Sequence, residues 1–355
     1  MTNLYALMRP AVHLLPPETA HGLAIATLRS GVLLPRAQKS LQILHTHAFG
    51  HSFSSPVGLA AGFDKNAEVI DAMLRQGFSF VEAGTVTPKS QPGNDKPRIF
   101  RLSEDRAVIN RLGFNNKGLE YFCKQFATRD CRLGIAGANI GKNKDSEDAI
   151  ADYTIGLRGV YPLADYVTIN ISSPNTQGLR DLQQRDALEQ LLKALHATRG
   201  ECIQQHHKTL PMLLKIAPDI DEQQAEDIAE IVLRYRMDGL IVSNTTLARP
   251  ESLRSVHKGE QGGLSGLPLF DPSTRLLRQM YRLTGGKIPL VGVGGVGCAR
   301  TAYEKIKAGA TLVQLYTALV YEGVGLACKI QKGLAELLER DGFSAVQEAV
   351  GVAHR

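Results

Sequence analysis

The feature that most constrains this chain is an alternation. Eight short apolar, β-rich runs, most of them closing on or beside Gly, Asn, Ser or Thr, recur at 57–62, 78–86, 133–140, 166–172, 212–217, 239–245, 289–295 and 312–317, with helix-period stretches between them. The stretch 66–76 places Val69, Ile70, Met73 and Leu74 on one helical face and stops at Gly77, a good terminator. Asp221 followed by Gln224 has capping-box spacing and opens a helix that turns Ala225, Ile228, Ala229 and Val232 inward. Strands that alternate with helices form parallel sheets, and eight such units close most naturally into a (β/α)8 TIM barrel. An open doubly wound sheet is the other arrangement the pattern allows.

Composition narrows the class. At 355 residues, 43% hydrophobic and 21% charged, the chain can bury a large core without disulfides. Its five cysteines are scattered with no CxxC pair, so no ligand set for structural zinc or an iron–sulfur cluster is present and no metal is expected. An odd, unclustered count fits a reducing compartment. No apolar run is long enough to span a bilayer and no signal-peptide core is found. The net charge of +6 is spread along the chain without a basic block, which gives nucleic acid little support.

The first residues fall outside the barrel count. Leu4, Leu7, Met8, Ala11, Val12 and Leu15 form an apolar helical face, Pro16 and Pro17 break it, and 21–34 is a second apolar helical stretch. Residues 1–50 carry Arg9, Arg29, Arg36 and Lys39 against Glu18 alone. Two readings stay open: a hairpin simply packed on the barrel, or one whose free face enters a membrane interface beside anionic lipid. The expected organisation is an extension at 1–45, a barrel at 46–340 and a tail at 341–355.

Active sites of such barrels form at the carboxyl ends of the strands, and here those ends are polar. Thr168, Asn170 and Ser172 alternate to one face; the third strand ends near Asn139, the fifth carries Lys215, and the sixth runs into Ser243, Asn244 and Thr245. A lysine inside an apolar strand needs a negative partner. An anionic ligand is the simpler one; Asp64 and Glu82 are the structural alternatives. The run 292–297 matches GxGxxG, but too little chain follows for a dinucleotide fold. Glycine amides after strand seven and the turn at Tyr316-Thr317 suit one phosphate group instead, hence FMN rather than NAD. The loop 173–180, polar and hinged by Pro174 and Gly178, suits a lid.

Five motifs, at 61–66, 84–88, 110–116, 139–143 and 170–176, resemble dihydroorotate dehydrogenases of the quinone-dependent class, and the likeness runs from the amino-terminal extension to Thr317. That class is similar in having a (β/α)8 barrel, FMN and a helical extension at the membrane, and Ser173 stands where the cytosolic class generally has cysteine. The resemblance implies oxidation of (S)-dihydroorotate to orotate in pyrimidine synthesis, with one FMN per chain as hydride acceptor and a quinone as final acceptor. Ser173 matches the base. Lys65, Asn110, Arg111, Leu112, Gly113, Phe114, Asn170, Asn175, Asn244 and Thr245 match the substrate side. Ala61, Gly62, Phe63, Asp64, Lys65, Thr85, Asn139, Asn170, Lys215 and Ser243 match flavin contacts, with Gly266, Gly295, Tyr316 and Thr317 on the phosphate side. His21 and Arg101 match positions near a quinone tunnel. A monomer, peripheral on the cytoplasmic side of a bacterial inner membrane, is the accompanying expectation. The rivals are a soluble oxidase or fumarate-linked dehydrogenase of the same fold, in which the hairpin is only packing, and a non-redox phosphate-binding barrel.

Overall fold

The structure, a computed structural model, describes residues 4–33 and 41–354. Arg36, Lys39 and the far end of the second expected helix fall outside the described residues. Helices α1 (Leu4–Leu14) and α2 (Pro17–Arg29) come first, followed by a small hairpin of β1 (Thr46–Ala48) and β2 (His51–Phe53). Then come β3 (Val57–Leu59), α3 (Ile70–Arg75), β4 (Phe80–Val86), β5 (Ile99–Leu102), β6 (Ala107–Asn110), α4 (Leu119–Phe126) and β7 (Ile135–Ile140). The middle of the chain gives α5 (Ala149–Val160), β8 (Tyr166–Asn170), α6 (Arg185–His206), β9 (Met212–Ile216), α7 (Glu222–Arg234), β10 (Gly239–Val242) and β11 (Gly263–Gly266). It closes with α8 (Phe270–Thr284), β12 (Leu290–Val293), α9 (Ala299–Lys307), β13 (Ala310–Leu315), α10 (Ala318–Glu322) and α11 (Leu326–Arg340).

Eight parallel strands close into a barrel in the order β3-β4-β7-β8-β9-β10-β12-β13, one from each of the eight runs marked in the sequence. The open-sheet alternative is thereby excluded. β1 and β2 bring Ala48, Phe49 and Phe53 against the amino-terminal mouth, where they join Phe80, Tyr166, Leu213, Ile241, Val291 and Leu312 in an apolar interior layer. Gly137 leaves room for one of these rings: a Cβ there would lie 2.1 Å from the Tyr166 ring. Because side chains alternate along a strand, the next inward positions lie one step toward the carboxyl ends. They are Glu82, Asn139, Thr168, Lys215 and Gln314, all buried. The barrel interior thus changes from apolar to polar along its axis.

Three elements depart from the sequence pattern. The helix expected over 66–76 is only α3, because the Asp64 carboxylate accepts the Glu68 and Val69 amides at 2.8 Å each and holds the preceding residues in a turn. The second helix starts at Pro17 rather than residue 21, since proline at the first helical position loses no hydrogen bond. Finally, β5, β6 and β11 form an antiparallel sheet outside the barrel, in the order β11-β6-β5, that walls the carboxyl mouth. The Asp221–Gln224 capping box is present as expected.

Helix α1 docks on α10: the Tyr5 hydroxyl donates to the Val320 carbonyl at 2.7 Å and Arg9 donates to that of Tyr321 at 3.1 Å. Arg101, on β5, donates to the His13 and Leu15 carbonyls at 2.7 Å each and so caps the end of α1. The hairpin roofs the barrel mouth.

Candidate active site

One cavity of about 950 Å³ runs from between α1 and α2 to the carboxyl ends of the barrel strands. Of the residues singled out from sequence, Ser173 lies in its wall, as do Lys65, Asn110, Leu112, Gly113, Phe114, Asn170, Asn175, Asn244 and Thr245. So do Ala61, Gly62, Phe63, Thr85, Lys215, Ser243, Gly266, Gly295, Tyr316 and Thr317, with His21 and Arg101 on the hairpin side. Three do not reach it. Arg111 pairs with Glu260 at 2.8 Å and stacks over Phe100; Asp64 is spent on the turn before α3; Asn139 is fully buried beneath the wall.

Asn139 organises the floor. Its amide donates to Glu82 at 2.7 Å while its oxygen accepts the Thr85 hydroxyl at 2.6 Å. Asn170 donates to Thr85 at 2.8 Å and accepts from Ser172 at 2.8 Å, and Asn244 donates to Ser172 at 2.9 Å. These amides are therefore held in one orientation before any ligand arrives, since each also has a partner inside the protein.

Glu82 is the structural partner that Lys215 could have taken, but its carboxylate is occupied by neutral donors: Asn139, Gln314 at 2.9 Å and Tyr166 at 3.2 Å. Lys215 makes no ion pair or hydrogen bond within the described residues and faces the cavity. Burial lowers its pKa, partly opposed by the field of Glu82. Lys65, at the other wall, is pushed down to about 8, again by burial. Two desolvated cations facing one cavity form a site for anions.

Ser173 sits in the loop after β8 with its oxygen accepting the Asn175 amide at 3.2 Å. Arg180 anchors that loop: it donates to the Ser172 carbonyl at 3.2 Å and the Thr245 carbonyl at 2.9 Å and pairs with Asp219 at 2.8 Å. Asn175 reaches across to the Asn110 carbonyl at 3.1 Å. Sequence reasoning had not marked Arg180 or Asn94 as functional; the only available signal was their place in polar, glycine-containing loops.

At the opposite rim, Gly294 and Gly295 take successive positive φ values of 100° and 74° just before α9. A Cβ on Gly295 would lie 2.4 Å from that of Phe270, so this cradle exists only with glycine. Phe63, Tyr316 and His21 form an aromatic cluster between barrel and hairpin, with ring centroids 5.3–6.4 Å apart. Burial, reinforced by Lys65, pushes His21 down to about 3, so its ring is neutral at physiological pH.

Known proteins share this architecture. A family model described as dihydroorotate dehydrogenase matches residues 43–338. A protein of Azorhizobium caulinodans named dihydroorotate dehydrogenase (quinone) is 51% identical over 351 residues, covering 98% of this chain and 99% of that one. One of the same name from Parvibaculum lavamentivorans is 53% identical over 350 residues, covering 98% of each. Among solved structures, DHODH of Eimeria tenella in complex with ferulenol superposes with a TM-score of 0.92 at 41% identity over 96% of each chain.

Proposed function

Because the chain belongs to the dihydroorotate dehydrogenase family, in its quinone-dependent class, we propose that one FMN occupies the cavity, with dihydroorotate against it and Ser173 as the base. The chain is an oxidoreductase that converts dihydroorotate to orotate in pyrimidine biosynthesis, with quinone as electron acceptor. The observation that carries the proposed site is Lys215: a buried ammonium without an ion-pair or hydrogen-bond partner among the described residues, facing a cavity whose far rim is a glycine cradle.

The residues fit a flavin mononucleotide. The floor of hydroxyl and amide side chains from Thr85, Asn170 and Ser243 suits a flat heterocycle, the cavity has the size of cofactor sites, and the Gly294–Gly295 cradle at α9, with Gly266 and Thr317 nearby, suits a phosphate. The Gln314 Oε1 atom, buried without a hydrogen-bond partner, is a further free acceptor under that floor. Bound there, FMN supplies a hydride acceptor and a route for electrons to quinone.

The chain's own groups do the rest. Lys65 and the amides of Asn110, Asn175 and Asn244 line one wall, offering a cation and paired donors and acceptors to an anionic, amide-rich ring. Ser173 takes the C5 proton as its own hydroxyl proton passes to solvent, so the side chain ends neutral. Its oxygen already receives an N–H from Asn175, which stabilises the alkoxide character it acquires as that hydroxyl proton leaves. The Arg180-anchored loop shields that hydroxyl from bulk water; Ser173 itself is 6% exposed. Lys215 would hold positive charge against a bound flavin and would favour negative charge developing on it.

The neutral aromatic cluster of His21, Phe63 and Tyr316, which leads from the barrel mouth to the space between α1 and α2, supports a quinone path there, with Arg101 at its edge. Exposed Leu7, Met8, Leu14 and Leu23 on the hairpin support peripheral attachment to a membrane, and no described helix is long and apolar enough to cross one. The monomeric state, the cytoplasmic side and the division into extension, barrel and tail belong to the same proposal.

The test is spectroscopic. The purified protein should carry a yellow flavin that bleaches anaerobically with dihydroorotate and recovers with quinone. A colourless protein, or a flavin untouched by dihydroorotate, removes this reading.

A further inference from the structure

A line of polar contacts joins the hairpin to the substrate wall, and nothing in the reaction as described above accounts for it. It begins at Arg98, which is 6% exposed yet does not line the cavity. Its guanidinium forks onto Glu18 in the first turn of α2, donating from Nε at 3.2 Å and from the terminal nitrogen at 2.6 Å. The other terminal nitrogen donates to the carbonyls of Pro92 at 2.7 Å and Asn94 at 2.8 Å. Hydrogen bonding to Arg98 holds the Glu18 carboxyl below the usual range despite its partial burial.

Asn94 carries the line onward. Its side-chain amide donates to the carbonyls of Arg111 and Asn175, both at 3.1 Å, and its backbone N–H donates to Leu112 at 3.1 Å. One residue therefore touches both walls of the substrate pocket, the 110–114 segment and the Ser173 loop. From Asn175 the amide N–H reaches the Ser173 oxygen at 3.2 Å. The path Glu18–Arg98–Asn94–Asn175–Ser173 has no link longer than 3.2 Å. Space around it is tight: a Cβ on Gly93 would lie 2.3 Å from the Leu112 carbonyl and one on Gly113 would lie 2.8 Å from the Asn94 side chain.

We infer that Glu18 and Arg98 are positioning residues for dihydroorotate. The pair ties α2, a wall of the quinone path, to the loop that sets Asn175 and Ser173, so seating of the hairpin fixes the geometry of the substrate pocket. A bidentate, charge-assisted fork is suited to this because it fixes angle as well as distance. Displacement of a reacting group by about 1 Å can cost ~100-fold. The hairpin thus acts in the half-reaction that involves no quinone. The inference rests on the substrate assignment made above.

The test uses the full-length flavoprotein. Orotate is titrated into the oxidised form and followed by the flavin spectrum, and anaerobic reduction by dihydroorotate is followed by stopped flow. Glu18→Gln and Arg98→Met should each weaken orotate binding about 10-fold. The double variant should be no worse than the weaker single, because both cut one path. Arg98→Lys should fail to restore binding, since a single ammonium cannot span Glu18 and two carbonyls. A pair that only stabilises the fold would lower the melting temperature and leave orotate affinity unmoved. If Arg98→Met does not accumulate, Glu18→Gln decides, because Glu18 is 29% exposed and keeps its size as the amide. The inference falls if Glu18→Gln binds orotate within about twofold of wild type and is reduced at its rate. A wild-type protein that itself ignores orotate and dihydroorotate removes the proposed function first, and this inference with it.

Discussion

At the scale of single residues, the site is an exercise in which polar groups are already satisfied. Asn139, Asn170 and Ser172 are tied to one another, so they hold the shape of the floor, whereas Lys215, Lys65 and Ser173 keep capacity for a ligand. Ser173→Ala should leave the flavin bound and slow its reduction by dihydroorotate ~100-fold or more, the usual share of a general base; an unchanged rate would remove Ser173 from that role. Lys65 gives a pH signature. With its pKa near 8 against 10.5 in an unfolded chain, the folded protein loses this proton first, so the cost of burying the charge is present below pH 8 and is relieved as pH climbs toward 10.5. An anionic ligand needs the protonated form. Orotate affinity should therefore fall about tenfold per unit above pH 8, and Lys65→Met should bind weakly with that slope gone. Asn139, Asn170 and Lys215 were legible because alternation along a strand places every second side chain inside the barrel, whereas Ser173 and Lys65 sit in loops and were marked by the resemblance of their motifs. Arg180, Asn94 and Arg98 were not legible, because each ties a loop to a group distant in sequence, the Thr245 carbonyl, the Asn175 carbonyl and the Glu18 carboxylate, and no periodicity records such contacts.

At the scale of elements, local rules worked where the partner is local. The Asp221–Gln224 box spans four residues and is present, and Asp221→Ala should cost about 1 kcal/mol of stability, read as a lower melting temperature with flavin reduction unchanged. The start of α2 and the shortening of α3 were misjudged because one depends on the tolerance of proline at a first turn and the other on a carboxylate folding back on two amides. The β5–β6–β11 sheet left no pattern at all: its strands are four residues long, and β11 lies more than 150 residues beyond β6. The cradle before α9 makes the sharpest element-level forecast. Gly295→Ala must push a methyl into Phe270 from a positive-φ backbone, so the purified variant should lose most of its flavin while its barrel still unfolds cooperatively; full flavin content would show that the phosphate end lies elsewhere.

At the scale of the molecule, eight apolar runs alternating with helices pointed to a barrel but still allowed an open doubly wound sheet, which is also covered on both faces; the observed pairing of β13 with β3 closes the ring. The hairpin was left with two readings, and its geometry now weighs on them. Its charge is less available than the sequence suggested: Arg29 pairs with Glu68 and Arg9 is turned onto the Tyr321 carbonyl. Its apolar side chains, by contrast, stay outside, with Leu7 71% and Leu14 87% exposed. Burying one leucine-sized side chain is worth ~1.5–3 kcal/mol, whereas a surface cation near anionic lipid contributes ~1 kcal/mol and is screened by salt. Attachment should therefore be driven by the apolar face. The protein should co-sediment with zwitterionic as well as anionic vesicles and should stay bound in 0.5 M salt, where screening reaches only a few ångströms (~4 Å). Replacing Leu7 and Leu14 together by Asp should release it at least ~10-fold, without slowing flavin reduction by dihydroorotate, because neither residue lines the cavity. Binding confined to anionic vesicles and abolished by salt would mean that charge, not this face, holds the enzyme, and undiminished binding of the double variant would return the hairpin to the role of packing alone.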